Sequence, residues 1–452
     1  MANDADGRRC SMLAHHSRRM RSPAFIITHH DATTLPMPPG KGDSPDGFDR
    51  ILCDVPCTGD GTHRKAPHLW KKWSNASAMG LHPLQLKIAL RAATLLRVGG
   101  NMCYSTCSLN PIENEAVVAE ILRGAEGALE IVNVSDRLPD LKRFPGMIKW
   151  KVMTSDQKFF ESHKESLDSR KTTTKRGFFQ PNEEEAKTMG LEHCLRLHPQ
   201  LQDTGGFFVC ILRKVKELPE GAEFYATKAE NGVKRPAEDS TQEPDKEEEA
   251  AMAAAVELAV ENKDLPTMLK ADPFLQLSSG KVTGGQETLA ELVKFFELDP
   301  SFPQEQLFAR SAQAGRIVLV SPAIRHLLEE DAAQNFKAIN SGVRVFEKCN
   351  FMSNDRGCTY RLMQEGVELI APYVSEKRKR AVSVEDLTII TAKKSVRIEE
   401  LTDTELKSCL LSLSYGSVIL TCKIPDSEEV ITAVCERGEH FIQLFVDKEE
   451  TL

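Results

Sequence analysis

The sequence predicts an α/β chain: a mostly parallel sheet wound with helices on both faces, then a charged linker, then a separate β-rich domain. Three observations predict it. Over roughly the first 215 residues, short apolar and β-branched runs alternate with stretches of helical spacing, the order that builds doubly wound sheets. After Lys216 the composition shifts toward Glu, Lys, Pro, Asp and Ser. From about Asp272 the apolar runs become short and strand-like. The expected boundaries are therefore 1–217 for the sheet domain, 218–271 for the linker and 272–452 for the β-rich domain.

In order, Ala24-Phe25-Ile26-Ile27-Thr28 and Phe48-Asp49-Arg50-Ile51-Leu52-Cys53-Asp54-Val55 read as buried strands, the second stopping at Pro56. Apolar residues recur at helical spacing from Leu84 to Leu96, and Gly99-Gly100 ends that segment. Asn101-Met102-Cys103-Tyr104-Ser105-Thr106 begins a further strand, and the helix from Pro111 carries Glu113 and Glu115 in its first turn, where carboxylates suit the helix dipole. Thr204-Gly205-Gly206 leads into Phe207-Phe208-Val209-Cys210-Ile211-Leu212, a strand expected to close the sheet. The linker allows a transient helix at 250–259. Later strands are expected at Arg316 to Val320, Val343 to Phe346, Ser417 to Leu420 and Phe441 to Val446, and no internal repeat is evident.

The length of 452 residues is ample for one or two compact cores. Hydrophobic residues at 41% and charged residues at 27% match soluble globular proteins and exclude disordered or fibrous classes. Lys+Arg 58 against Asp+Glu 66 gives −8, so any nucleic-acid surface must be local. No apolar run approaches the roughly 18 residues of a membrane span, and the N-terminus lacks the apolar core of a secretory signal. With an intracellular, reducing setting expected, the 12 Cys read as core residues or reactive thiols rather than a disulfide framework.

In doubly wound sheets, ligands bind beyond the carboxyl ends of the strands. Two loops there carry cysteine: Asp54-Val55-Pro56-Cys57-Thr58-Gly59-Asp60-Gly61-Thr62 and Ser105-Thr106-Cys107-Ser108-Leu109-Asn110-Pro111. A thiol on a loop before a helix N-terminus can have its pKa lowered, and a thiolate is a strong nucleophile toward an electron-poor ring carbon. Cys107 suits that role better than Cys57.

The Asp-Val-Pro-Cys and Ser-Thr-Cys-Ser-Leu-Asn-Pro motifs, with Gly-Asp-Gly-Thr at 59–62, Trp-Lys-Lys-Trp at 70–73 and Pro-Gly-Met-Ile-Lys-Trp-Lys-Val at 145–152, resemble the Sun family of RNA cytosine-5 methyltransferases, and within it the eukaryotic multisite tRNA branch. The resemblance implies a Rossmann-like domain using S-adenosylmethionine, then a PUA-like RNA-binding domain. It makes Cys107 the nucleophile that adds to carbon 6 of cytosine and gives Cys57 a part in the elimination that releases the enzyme. Asp54 would hydrogen-bond the cytosine amino edge beside the cofactor. Asp4 would hold the cofactor ribose and Asp31 the adenine amino group. It further implies tRNA, and other RNAs, as partners, no metal and no membrane, and residence in the nucleus, with the cytoplasm as the alternative. In the family a glycine-rich cofactor loop, its strand and an upstream lysine precede the Ala-Asn-Asp motif, whereas this chain begins at that motif. The resemblance thus implies an N-terminally truncated sheet lacking its first strand, and a second reading as an inactive RNA-binding fragment.

Blander readings stand beside these. Cys53 and Cys103 precede the two loops within strands and read as core residues rather than zinc ligands, since strand alternation turns them from the rim. His193, Cys194 and His198 form a loose cluster expected on a surface helix, and Asp60 reads as a turn residue. Arg64, Lys65, Lys71 and Lys72, flanked by Trp70 and Trp73, supply local positive charge and stacking surface for RNA, with Arg8, Arg9, Arg18, Arg19 and Arg21 as a further patch or a solvated helix face. Lys377-Arg378-Lys379-Arg380 fits a nuclear import signal, an RNA-facing loop or neither.

Overall fold

The structure is a computed structural model that describes residues 1–40, 47–71, 73–154, 157–169, 174–222, 225, 273–331, 335–349, 357–393, 395–425 and 427–444. The expected helix at 250–259, nearly all of the linker and the end of the Phe441 to Val446 strand lie outside the described residues, as does Lys72. The chain divides into two compact units, residues 31–265 and residues 1–30 together with 266–452.

The first unit is built on a sheet that carries both cysteine loops. Naming strands in chain order, β1 (Ala2–Asp4) and β2 (Ile26–His29) belong to the other unit, and the sheet of the 31–265 unit begins with β3 (Phe48–Asp54). β4 (Leu96–Thr106), β5 (Leu129–Ile131), β6 (Phe144–Pro145), β7 (Leu195–Leu197) and β8 (Phe207–Lys214) complete it in the order β3-β4-β8-β7-β6, with β5 on β8. β3 and β4 run parallel, Cys53 opposite Tyr104 and Asp54 opposite Ser105. β8 lies antiparallel to β4, β5 and β7, so the sheet is mixed, where the sequence suggested mostly parallel pairing. The parallel pair matters most for the site, because it brings the ends of β3 and β4 to one rim.

Helix α2 (Asn75–Leu95) makes the β3 to β4 crossover, after α1 (Gly7–Ser17) in the other unit. The spacing suggested a start at Leu84, just after Pro83, yet the helix runs through Pro83 and is capped by the Ser74 side chain, which accepts from the Ser77 N–H. A proline costs a helix one internal hydrogen bond. Here buried Met79, Leu81, Leu86, Ala89 and Leu90 hold the helix on both sides of it. Helix α3 (Glu115–Ala125) starts at Glu115 rather than Pro111, so Glu113 lies in the preceding turn. Tyr104, Phe208, Leu90, Val117, Val118 and Ile121 form the centre of this core.

The predicted strand at Ala24 to Thr28 exists as β2 and is buried, but it joins a different sheet. β1 pairs parallel with β2, and β2 pairs antiparallel with β11 (Ala338–Ser341), which follows β9 (Leu307–Ala309) and β10 (Arg316–Leu319). These ladders tie residues 1–30 to the C-terminal part of the chain, which the expected 1–217 boundary did not anticipate. The rest of this unit holds two further five-stranded sheets. One contains β9, β10 and β12 (Val343–Lys348); the other centres on β13 (Gly416–Lys423) and β14 (Val430–Arg437), whose eight-residue ladder is the longest in the unit.

The basic run at 377–380 is spent on internal contacts. Lys377 donates to Glu297, Arg378 lies buried 3.8 Å from the centre of the Phe295 ring, Lys379 donates to Glu376, and Arg380 donates to the carbonyls of Glu376 and Lys379. Of the N-terminal arginines, Arg8, Arg9, Arg18 and Arg19 are exposed; Arg9 pairs with Asp4, and Arg21 with Glu368.

Candidate active site

The loops after β3 and β4 meet at Cys57 and Cys107, whose Sγ atoms are 3.2 Å apart. They are held together by backbone and by the Asp60 side chain. The Gly61 N–H donates to the Cys107 carbonyl at 2.9 Å, and Asp60 Oδ1 accepts from the Leu109 N–H at 2.6 Å. Asp60 is thus a turn residue that also clamps the neighbouring loop. A side chain on Gly61 would meet the Gly206 carbonyl oxygen at 2.6 Å and the Cys107 carbonyl oxygen at 2.7 Å, so only glycine allows this approach. Within the second loop, the Thr106 hydroxyl donates to Asn114 Oδ1 and the Asn114 amide donates to the Ser108 carbonyl.

Glu113 joins the two loops from below. Fully buried, its carboxylate accepts from the Thr58 N–H at 2.9 Å, the Thr58 hydroxyl at 2.5 Å, the Ser108 hydroxyl at 2.6 Å and the Gln85 amide at 3.0 Å. Burial raises its pKa, opposed by the hydrogen bonds from Ser108 and Thr58. Four donors on two oxygens are what a carboxylate needs to stay in an apolar interior. A second buried acid, Glu115, forms a two-point ion pair with Arg196 on β7, both contacts at 2.6 Å, and Arg196 also donates to the Leu109 carbonyl at 2.9 Å. The sequence placed both acids in the first turn of a helix from Pro111. Their partners sit at positions 58, 85, 108 and 196, and no local pattern signals them.

The two thiols differ in setting. Cys57 is pushed far above the ordinary thiol value, first by donating its S–H to Cys107, then by burial and by the Glu113 charge. Cys107 is lowered because its sulfur accepts that hydrogen bond, which outweighs burial and the charge of Asp54. The pair therefore favours charge on Cys107 over charge on Cys57. Cys53 and Cys103, by contrast, are pushed up to about 12 and about 11, chiefly by burial, and are inert. Cys194 is fully buried beside Cys210 at the start of β7 rather than on a surface helix, because the chain there is a strand edge packed into the core.

Asp54 is exposed at the end of β3 and accepts from the Ser105 hydroxyl at 3.0 Å. Asp31, in the same unit, is exposed and accepts through Oδ1 from the Thr33 N–H and hydroxyl. Asp4 ends β1 in the other unit, with Oδ1 taken by the Asp6 N–H and Oδ2 by Arg9. The structure therefore groups Cys57, Cys107 and Asp54 at one rim and keeps Asp31 on the same unit, while Asp4 belongs to the other unit. Arg64, Lys65 and Lys71 are exposed, with Arg64 paired to Asp203 at 2.7 Å. Among the described residues no group of His, Cys, Asp or Glu is arranged to hold a metal.

Two thiols in contact at adjacent strand ends of an α/β sheet, one shifted up and the other down from the ordinary thiol value, form an enzyme-like arrangement. Residues 1–143 match the family described as 16S rRNA methyltransferase RsmB/F, and residues 281–375 match the NSUN2 Pre-PUA domain. The chain is 35% identical over 449 residues to a multisite-specific tRNA:(cytosine-C(5))-methyltransferase, trm4b, of Schizosaccharomyces pombe, covering 94% of this chain and 63% of that protein. It is 35% identical over 477 residues to a tRNA (cytosine(34)-C(5))-methyltransferase of Drosophila melanogaster, 100% and 61%, and 33% identical over 469 residues to a multisite-specific tRNA:(cytosine-C(5))-methyltransferase of Saccharomyces cerevisiae, 100% and 64%. Residues 1–143 thus carry a Sun-family RNA methyltransferase domain, and the C-terminal β-rich region carries a Pre-PUA domain over residues 281–375. It spans 61% to 64% of the length of these curated relatives. Among the described residues no helix is long and apolar enough to cross a membrane.

Proposed function

We propose that this chain methylates carbon 5 of cytosine in RNA, with tRNA as the substrate class, through a covalent bond from Cys107. The observation that carries the reading is the thiol pair with its Sγ atoms 3.2 Å apart, and the lowered Cys107 pKa supports it. The Cys107 sulfur adds to carbon 6, the ring electrons move to carbon 5, and Asp54, exposed beside the loop, accepts from the amino edge and stabilises the positive charge on the ring. S-adenosylmethionine, when bound, supplies the methyl group as an electrophilic sulfonium. The exposed carboxylates of Asp31 and Asp54, each with one oxygen unspent in its hydrogen bond, fit the amino and hydroxyl donors of such a cofactor. Once carbon 5 loses its proton to water, the carbon–sulfur bond breaks, and the Cys57 S–H steadies the departing Cys107 thiolate. The target base must leave its stack for this chemistry. Arg64, Lys65, Lys71 and Lys72 are the cations proposed for the RNA backbone, and residence in the nucleus belongs to the same proposal.

The test is tritium transfer from S-adenosylmethionine to unmodified tRNA, with the Cys107→Ala chain as the blank. Transfer that persisted in the Cys107→Ala chain would end the assignment.

A second reading, RNA binding without catalysis, is favoured by one observation: Asp4 belongs to a different compact unit from Asp31 and Asp54, with both oxygens engaged. It expects no heat of S-adenosylmethionine binding in calorimetry, and micromolar affinity would rule it out.

A further inference from the structure

Trp70 sits where few tryptophans do. It is one of 3 in the chain and leaves 68% of its surface in solvent, whereas Trp150 is buried and donates to the Phe178 carbonyl. Large aromatic side chains left open on a surface mark recognition more often than packing. One face of the Trp70 ring is occupied: the His63 imidazole lies under it, centroids 4.1 Å apart and planes inclined by 34°. His63 itself is nine-tenths buried, and among the described residues its Nε2 has no hydrogen-bond partner. A buried imidazole beneath an exposed indole makes a supported, flat platform whose orientation is fixed from below.

The turn that carries the platform adjoins the thiol loops through Leu69, the residue before Trp70. Trp70 belongs to the 3₁₀ turn Pro67–Lys71, and the point a side chain on Gly59 would occupy is 3.4 Å from Leu69 Cδ1 and 3.8 Å from Cys107 Sγ. The flanking charge has one sign: Arg64, Lys65 and Lys71 are exposed, and the segment 63–73 contains no Asp or Glu. Lys65 and Lys71 make no ion pair among the described residues, and the Arg64 to Asp203 pair is open to solvent. A flat aromatic plate among exposed cations, on a turn that adjoins the thiol loops, has the chemistry that holds single-stranded nucleic acid, with stacking for a base and cations for the phosphates around it.

We propose that Trp70, backed by His63, is a stacking platform for an unpaired nucleobase of the RNA next to the base that Cys107 attacks. This rests on the RNA methyltransferase reading of the thiol pair but makes a separate claim, that recognition is by stacking one neighbour in the strand. A base that stacks here is held out of its own helix, which orients the strand and keeps the target base unstacked. Trp70 is a binding residue in this proposal and takes no part in bond making.

The probe is a short single-stranded RNA with one central cytosine, and a second copy carries an abasic sugar beside that cytosine. In the full chain with Trp73→Phe, so that Trp70 is the exposed emitter, the intact RNA quenches indole emission in a saturable way. Trp70→Ala weakens binding, read by anisotropy of labelled RNA, by roughly tenfold. Trp70→Phe restores most of that loss, while the slope of log Kd against log salt stays as in the parent because no phosphate contact is gone. The abasic RNA shows the same loss, and the loss does not grow further when it meets Trp70→Ala. Parental affinity in Trp70→Ala, an additive loss with the abasic RNA, or no binding of single-stranded RNA by the chain would each overturn the platform. Methyl transfer is scored separately. Quenching without transfer upholds the platform and sinks the catalytic reading; transfer with parental affinity in Trp70→Ala does the reverse. Capture of a protein partner lost in Trp70→Ala, with RNA affinity unchanged, would assign the surface to protein docking and also overturn the proposal.

Discussion

Cys57 and Cys107 meet Sγ to Sγ at 3.2 Å, and the hydrogen bond between them acts in opposite directions: it raises the Cys57 thiol as donor and lowers Cys107 as acceptor. Burial and the Glu113 carboxylate, which is bonded to the N–H of Thr58, disfavour charge on both sulfurs. Two chemically identical groups are thus separated by the hydrogen bond they share.

That asymmetry predicts a pH profile for Cys107. Its pKa is lowered because the thiolate is the form that accepts from Cys57, so alkylation by iodoacetamide should have its midpoint below the ordinary thiol value of about 8.5. Removing the donor stabilises the thiolate less and raises the pKa. Cys57→Ala should move the midpoint upward and slow alkylation at neutral pH, while Cys57→Ser, which keeps a donor, should move it less. Peptide mass spectrometry of the Cys107 tryptic fragment reads this directly, and equal midpoints in all three chains would contradict the assigned donor.

The same pair predicts opposite outcomes for two substitutions in the presence of RNA and S-adenosylmethionine. Cys107→Ala should leave no covalent species on a denaturing gel, because the attacking sulfur is gone. Cys57→Ala should accumulate a protein–RNA band, because the departing thiolate has lost its donor. A band in the first chain and none in the second would reverse the roles.

Much of this site was legible in the sequence, and the missing part is instructive. The ends of β3 and β4, the strand Phe207–Lys214 and the two cysteine loops were visible because their signals are local: β-branched runs, a proline stop and glycine turns. The partner of Ile26–His29 was not, since any strand edge offers the same amides, and the choice of Ala338–Ser341 is made by residues more than three hundred positions away. The setting of Glu113 was hidden for a related reason. A carboxylate near a helix start shows its place in the turn, but two of the three residues that donate to it, Thr58 and Gln85, come from distant segments that only the fold brings in.

Glu113 gives the third prediction. Glu113→Gln replaces one acceptor oxygen by an amide donor that must face Thr58 or Gln85 donors, leaving buried hydrogens unpaired at a cost of about 1–3 kcal/mol. Urea unfolding should show that loss. If the carboxylate also sets the distance between the loops, the Cys107 alkylation midpoint should shift as well, whereas an unchanged midpoint with reduced stability would limit Glu113 to a structural weld.

The buried Glu115 to Arg196 pair gives the fourth. With both side chains at 5% exposure or less, Arg196→Met leaves a buried carboxylate without its counter-ion and frees the Leu109 carbonyl, a loss of about 3–5 kcal/mol. The double variant Glu115→Leu with Arg196→Met removes both charges and should recover a large part of the stability. The Met147 N–H, which also donates to Glu115, would then be unpaired, so recovery should stop short of the parent. A double variant as unstable as the single one would mean that packing around β7, rather than the charge left behind, carries the cost.

Gly61 offers the sharpest separation of stability from chemistry. Its Cα lies against the Gly206 backbone, and its N–H and C=O bond the Cys107 carbonyl and the Gly206 N–H at 2.9 and 2.7 Å. Gly61→Ala must push one of these backbones away, and backbones do not yield as side-chain tips do, so overpacking should cost about 1–3 kcal/mol. One of the two backbones in the way is that of Cys107, the proposed nucleophile. Methyl transfer should therefore fall far more than the fraction of folded protein does, with the Cys107 midpoint moving toward that of a free thiol as the Cys57 hydrogen bond lengthens. A folded Gly61→Ala chain with parental alkylation kinetics would show that the second loop absorbs the strain without moving Cys107, and that the close approach at Gly61 matters for folding alone.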